Sequence, residues 1–198
     1  MVFKRAFLLF TLLIFACSSS NETDVNQIEM NDVEVNEVII IDPFYITLNE
    51  DSSLDDYWKI FLADAIRSGR LDPGLNRTVN LFFGDEPDFA SGVTADHAGR
   101  AHSICNNEVI SFEIIESFWE DYTIVQRLFT FYHEAGHARY NYRHPCEFNE
   151  TCATNTSENF PIMWRTIPLG NTTLEQFINH KNDFFGRRWE GVRYLNCM

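Results

Sequence analysis

Near the middle of the chain the sequence reads His133-Glu134-Ala135-Gly136-His137, and a further histidine, His144, follows seven residues later. Residues four apart on an α-helix share a face, so the imidazoles of His133 and His137 can converge on one ion. Zinc takes about four tetrahedral ligands, with nitrogens near 2.0–2.1 Å, and a catalytic site keeps one position for water. Two helical histidines are one protein ligand short, and His144 supplies it once the chain turns back. Such a turn needs a residue that tolerates the left-handed conformation, usually Gly and sometimes Asn. Asn141 stands three residues before His144 and Gly136 comes too early, so the helix is expected to end at Tyr140 and turn at Asn141. Glu134 is placed to take a proton from water rather than to bind the metal. With 6 His and 16 Glu in 198 residues, chance yields H-E-x-x-H in roughly one such chain in seventy. A third His at suitable spacing lowers that below about one in a thousand. The competing reading, ordinary histidines on an amphipathic helix, leaves the combination to accident.

These residues resemble the metzincin zinc peptidases, whose motif is H-E-x-x-H-x-x-G-x-x-H with a Met-containing turn downstream. The resemblance implies His133, His137 and His144 as ligands of one catalytic Zn2+ and Glu134 as general base. His144 comes one residue later than the motif asks, and Asn141 replaces the motif Gly one position further on. Asn141-x-x-His144 nonetheless keeps the G-x-x-H step, as one extra helical residue would produce. The longer spacing is also similar to that of zinc metallohydrolase lipoproteins of Bacteroidetes-type bacteria. Pro161-Ile162-Met163-Trp164 offers Met163 as the structural Met-turn residue. No Tyr follows Met163 closely, so the tyrosine ligand of some family members has no counterpart. The implied fold is α+β and metzincin-like: a twisted mixed sheet over an active-site helix, then a small irregular C-terminal lobe and a last helix. In that family a sheet-edge strand above the cleft pairs with extended substrate. Here Gly99 to Ile104, or the strand from Glu108, is the candidate.

The elements that must hold these residues are partly readable. Trp58, Phe61, Leu62, Ala65 and Ile66 recur at helical spacing between Asp55 and Arg70. Pro73-Gly74 marks a turn, Thr78 to Phe83 a strand, and 85–107 a loop-rich stretch with a short strand near Arg100 to Ile104. Glu108 to Ile114 alternates as a strand. A long helix is expected from Glu120 to Tyr140, its apolar face formed by Tyr122, Val125, Leu128, Phe129, Tyr132 and Ala135. The last helix opens on a Thr173-x-x-Gln176 capping box and closes near Gly186. His97, His102 and His180 read as ordinary residues, His97 and His102 with the alternative of lining the cleft or binding a second ion. Asp85, Glu86 and Asp88 lack the spacing of a calcium loop.

Composition sets the wider frame. The chain is 45% hydrophobic and 15% aromatic, enough for one core, and carries a net charge of −14. That charge, with no basic cluster, argues against a nucleic-acid partner, since phosphate neutralisation needs a basic patch. Lys4 and Arg5 precede the uncharged stretch Ala6 to Phe15, the form of a secretory signal peptide. Ten apolar residues rise only about 15 Å as a helix, half a bilayer. Leu13-Ile14-Phe15-Ala16-Cys17 resembles a bacterial lipoprotein lipobox, which implies cleavage before Cys17 and its lipidation. The expected organisation is a signal peptide over 1–16, a lipidated, acidic tether over 17–50 and a catalytic domain over 51–198. With Cys17 committed, Cys105, Cys146, Cys152 and Cys197 suggest two disulfides. Four cysteines allow three pairings and the sequence does not choose among them; Cys146 and Cys152 lie close enough to staple a loop, which would leave Cys105 with Cys197. The reading is a monomeric zinc metalloendopeptidase, tethered by lipid in a bacterial cell envelope at the outer membrane and acting on peptide or protein substrates. The alternatives are a non-proteolytic, zinc-containing accessory or binding lipoprotein of a nutrient-uptake complex, and a metal-free structural lipoprotein.

Overall fold

A computed structural model describes residues 43–70, 77–84, 97–145, 161–168, 170–189 and 191–197. The leader, Cys17 and the tether up to residue 42, the Pro73-Gly74 turn, Asp85, Glu86, Asp88, Cys146 and Cys152 lie outside them.

Ser53 opens the first long helix, α2 (Leu54–Arg67), with a reciprocal box: its hydroxyl accepts from the Asp56 amide while Asp56 accepts from the Ser53 amide. A one-turn helix, α1 (Pro43–Ile46), precedes it. Tyr45 and Leu48 are buried in the core although they precede the boundary expected at residue 51. One helical turn has too few residues to show a period, so the sequence carried no signal for it.

Three strands follow: β1 (Thr78–Gly84), β2 (Gly99–Ala101) and β3 (Val109–Ile115). They form a sheet in the order β1-β3-β2, with β1 parallel and β2 antiparallel to β3. The central strand β3 is buried along most of its length, whereas β1 is largely exposed. The fold is thus α+β with a small mixed sheet.

The helix expected from Glu120 is two helices, α3 (Glu116–Asp121) and α4 (Ile124–Tyr140). Tyr122 and Thr123 between them are extended. Thr123 Oγ1 accepts from the Gln126 amide at 3.3 Å, and Gln126 Oε1 accepts from the Thr123 amide at 3.1 Å. This capping box restarts the helix; apolar periodicity running through Tyr122 conceals the break. Helix α4 is buried almost all round. Phe131 meets Phe112 of the sheet edge-on at 5.2 Å, and Tyr132 meets Phe61 of α2 at 5.0 Å.

Beyond α4 come β4 (Tyr142–Arg143), the irregular stretch 161–168, α5 (Leu174–Gly186) and β5 (Arg193–Tyr194), which pairs antiparallel with β4. Thr173 and Gln176 cap α5 as the sequence indicates, but the left-handed residue after it is Arg187, not a glycine. Among the described residues no helix is long and apolar enough to cross a membrane.

Candidate metal centre

Helix α4 ends where its sequence says it must. Asn141 adopts φ 55°, ψ 30°, and the chain doubles back through β4. That turn delivers His144 to the face carrying His133 and His137. The three Nε2 atoms form a nearly equilateral triangle with sides of 3.0, 3.1 and 3.1 Å. Its centre lies about 1.8 Å from each nitrogen, so one point can stand at the usual 2.0–2.1 Å zinc–nitrogen distance from all three.

The donor chemistry supports the same assignment. His133 Nδ1 lies 2.7 Å from the Ile162 carbonyl, and His137 Nδ1 lies 2.5 Å from that of Tyr142. A carbonyl only accepts, so both Nδ1 atoms carry the proton and both Nε2 atoms present lone pairs. Lone pairs facing one another at 3.1 Å repel unless a cation lies between them. Burial holds the His133 imidazolium well below its ordinary range, helped by the like charges of His137 and His144. Burial likewise lowers His137, and with it the charges of His137 and Arg165 bring His144 down to about 3. The triad is neutral at pH 7 and competent to hold a divalent ion.

Glu134 lies in the same cleft, which has a volume of about 520 Å³. Burial, and secondarily the Glu113 carboxylate, push its carboxyl up to about 8, while the Ala101 amide, donating to it, opposes the shift. Ala101 is on β2, at the sheet edge; the neighbouring rungs at Ala98 and His102 bond to β3. By strand alternation, Gly99 and Ala101 turn their polar groups away from β3. A Cβ on Gly99 would stand 2.8 Å from both the Glu134 Cγ and the Glu113 carbonyl. Only glycine lets the strand and the carboxylate approach this closely. Of the two candidate edges, β2 lines the cleft; β3 has neighbours on both sides and cannot serve.

Met163 is fully buried against α4. A Cβ on Gly136 would come within 2.6 Å of its Sδ and 2.9 Å of the Phe184 ring. Its neighbour Ile162 supplies the carbonyl that orients His133.

Of the remaining histidines, His97 lines the cleft and acts electrostatically on His133 and His144, a correction to its reading as an ordinary loop residue. His102 pairs with Glu113 at 3.3 Å and stacks on Phe82. His180 is buried on α5 near Phe129. Cys105 and Cys197 form a disulfide, one of the pairings the sequence left open. Sequence reasoning missed Arg165, which lines the cleft, and the carbonyls of Ile162 and Tyr142. Backbone groups carry no residue-type signal, and a lone arginine in an aperiodic stretch looks like any surface charge.

Compared with protein-family models, curated proteins and solved structures, the chain shows no match.

Proposed function

We propose that this chain is a zinc metallohydrolase of metzincin type, an endopeptidase that cleaves extended peptide in the cleft beside β2. The observation that carries the reading is the triangle of Nε2 atoms with Glu134 and β2, a sheet-edge strand among the described residues, lining one cleft. His133, His137 and His144 would hold the ion. Zinc, when bound, lowers the pKa of water to about 7 and polarises a carbonyl oxygen. Burial alone would keep the Glu134 carboxyl protonated at neutral pH, but a cation held by the triad would favour its ionised form. Glu134 Oε would then accept a proton from the attacking water and return it to the leaving amine nitrogen. The Ala101 amide fixes the carboxylate during both transfers. The Gly99 N–H and C=O, on the outward edge of β2, bond to the substrate backbone as an added strand would. Burial of His133 and Glu134 limits competing water around the reacting atoms. The lipobox-like run Leu13-Ile14-Phe15-Ala16-Cys17 supports a lipid anchor on Cys17 and a position on the bacterial envelope, at the outer membrane.

Elemental analysis and a peptidase assay on an unstructured protein test this together. The parent is expected to hold one zinc per chain and His144→Ala much less. Glu134→Gln keeps its zinc and loses on the order of 10²–10⁴-fold in rate. A Glu134→Gln variant with zinc and undiminished activity overturns the mechanism. A parent that binds zinc and cleaves nothing leaves the accessory-lipoprotein reading.

A further inference from the structure

We infer that the Cys105–Cys197 disulfide and the C-terminal segment it anchors are positioning elements for the third metal ligand, so that metal affinity depends on an intact C-terminal clamp. The inference rests on the metal site proposed above. His144 differs from its two partners in how it is held. His133 and His137 sit on a buried helix, and each has a carbonyl on its Nδ1. Among the described residues His144 Nδ1 has no such partner, and His144 lies in a turn-back rather than a helix. Its placement therefore falls to the backbone of 141–145.

That backbone is gripped almost residue by residue by the segment 191–197. The Asn141 carbonyl accepts from the Leu195 amide at 2.8 Å. Tyr142 and Arg143 pair in register with Tyr194 and Arg193. Pro145 is approached by Gly191 (φ 71°) so closely that a Cβ there would stand 2.9 Å from the proline Cβ. The covalent link then doubles the hold. Cys197 is bonded to Cys105, and the Cys105 amide donates to the Asn141 side-chain oxygen at 2.8 Å. Asn141 is thus bonded through its carbonyl to one side of the disulfide loop and through its side chain to the other. This also assigns a second role to Asn beyond its left-handed backbone, which Gly would provide equally well.

A two-residue ladder between partly exposed strands is marginal by itself. Short, partly exposed segments of that kind open locally unless tied down. With the disulfide gone, the segment after α5 loses its cross-link to Cys105, and the two hydrogen bonds to Asn141, from the Leu195 and Cys105 amides, are no longer tied to one another covalently. Removing partners that orient a metal ligand typically costs 10–100-fold in affinity.

The test is zinc affinity of the full chain, read by competition with a chromophoric chelator, together with the visible absorption of the Co2+-loaded form. Cys105→Ser/Cys197→Ser is expected to bind zinc about 10–100-fold more weakly, with a changed cobalt spectrum, while circular dichroism still reports a folded chain. Should that variant not fold, Asn141→Gly decides: it keeps the turn but loses the Cys105 hydrogen bond, and Asn141→Asp restores an acceptor and with it the affinity. Parental affinity in Asn141→Gly, or in a folded double-serine variant, overturns the clamp while leaving the metal site standing. A parent that binds neither metal fails the underlying reading instead.

Discussion

A histidine's value as a ligand depends on which nitrogen is free, and that is settled one atom away from the metal. Nδ1 of His133 and His137 each donates to a main-chain carbonyl, leaving Nε2 for the ion. His180 shows the opposite fate of a buried histidine. Burial lowers its pKa, with Asp183 opposing, and it faces the Phe129 ring rather than a ligand cluster. The sign of its effect on stability follows from linkage. Above pH 6.5 it is neutral both folded and unfolded and contributes nothing differential; as pH falls through the unfolded value, the unfolded chain takes the proton first and folding weakens. His180→Asn should therefore lose less stability than the parent between pH 7.5 and 5.5, as measured by urea unfolding at each pH. An equal loss would show that folding leaves the proton affinity of His180 unchanged, and a steeper one that folding raises it.

At the scale of elements, α4 and the stretch beneath it act as a unit. Gly136 sits on the side of α4 that Met163 and Phe184 press against. Gly136→Ala must push the Met163 sulfur aside, an overpacking that costs about 1–3 kcal/mol. Because Ile162 beside it orients His133, zinc affinity should fall as well. Differential scanning calorimetry and the chelator competition check both, and a neutral effect on each would show that the Met163 side chain can simply swing away. The start of α4 makes a milder prediction. Thr123→Ala removes one half of the capping box and should cost about 1 kcal/mol, measured as a shift in denaturation midpoint. This box was legible, since Thr123-x-x-Gln126 has the same form as the Thr173-x-x-Gln176 box read correctly at α5. It escaped because apolar spacing runs unbroken from Tyr122, and periodicity reports the buried face without reporting where the backbone is interrupted.

In the whole molecule, four helices meet at one buried carboxylate. Asp64 of α2 accepts hydrogen bonds from Tyr45 of α1 and from Tyr132 of α4 at 2.6 Å, and pairs with Lys181 of α5 at 3.2 Å. Removing one partner of a buried ionic group strands the others, so Asp64→Ala should destabilise the chain by about 3–5 kcal/mol, read by chemical denaturation. A loss under 1 kcal/mol would mean that water readily replaces the carboxylate. No feature of the sequence marks Asp64 apart from Asp55 or Asp56 on the same helix, because its partners lie 19, 68 and 117 residues away. The same division holds for the site. His133, Glu134 and His137 were legible because helical geometry converts a four-residue spacing into a shared face, and Asn141 because few residues accept a left-handed turn. These are local constraints, and a sequence states local constraints directly. The approach of β2 to Glu134 through Gly99, the arrival of His97, and the clamp of 191–197 on 141–145 were decided by tertiary packing. Each joins segments whose separation along the chain is bridged only when the sheet, α4 and the C-terminal segment bury their apolar faces together, a long-range cooperation that residue spacing does not encode.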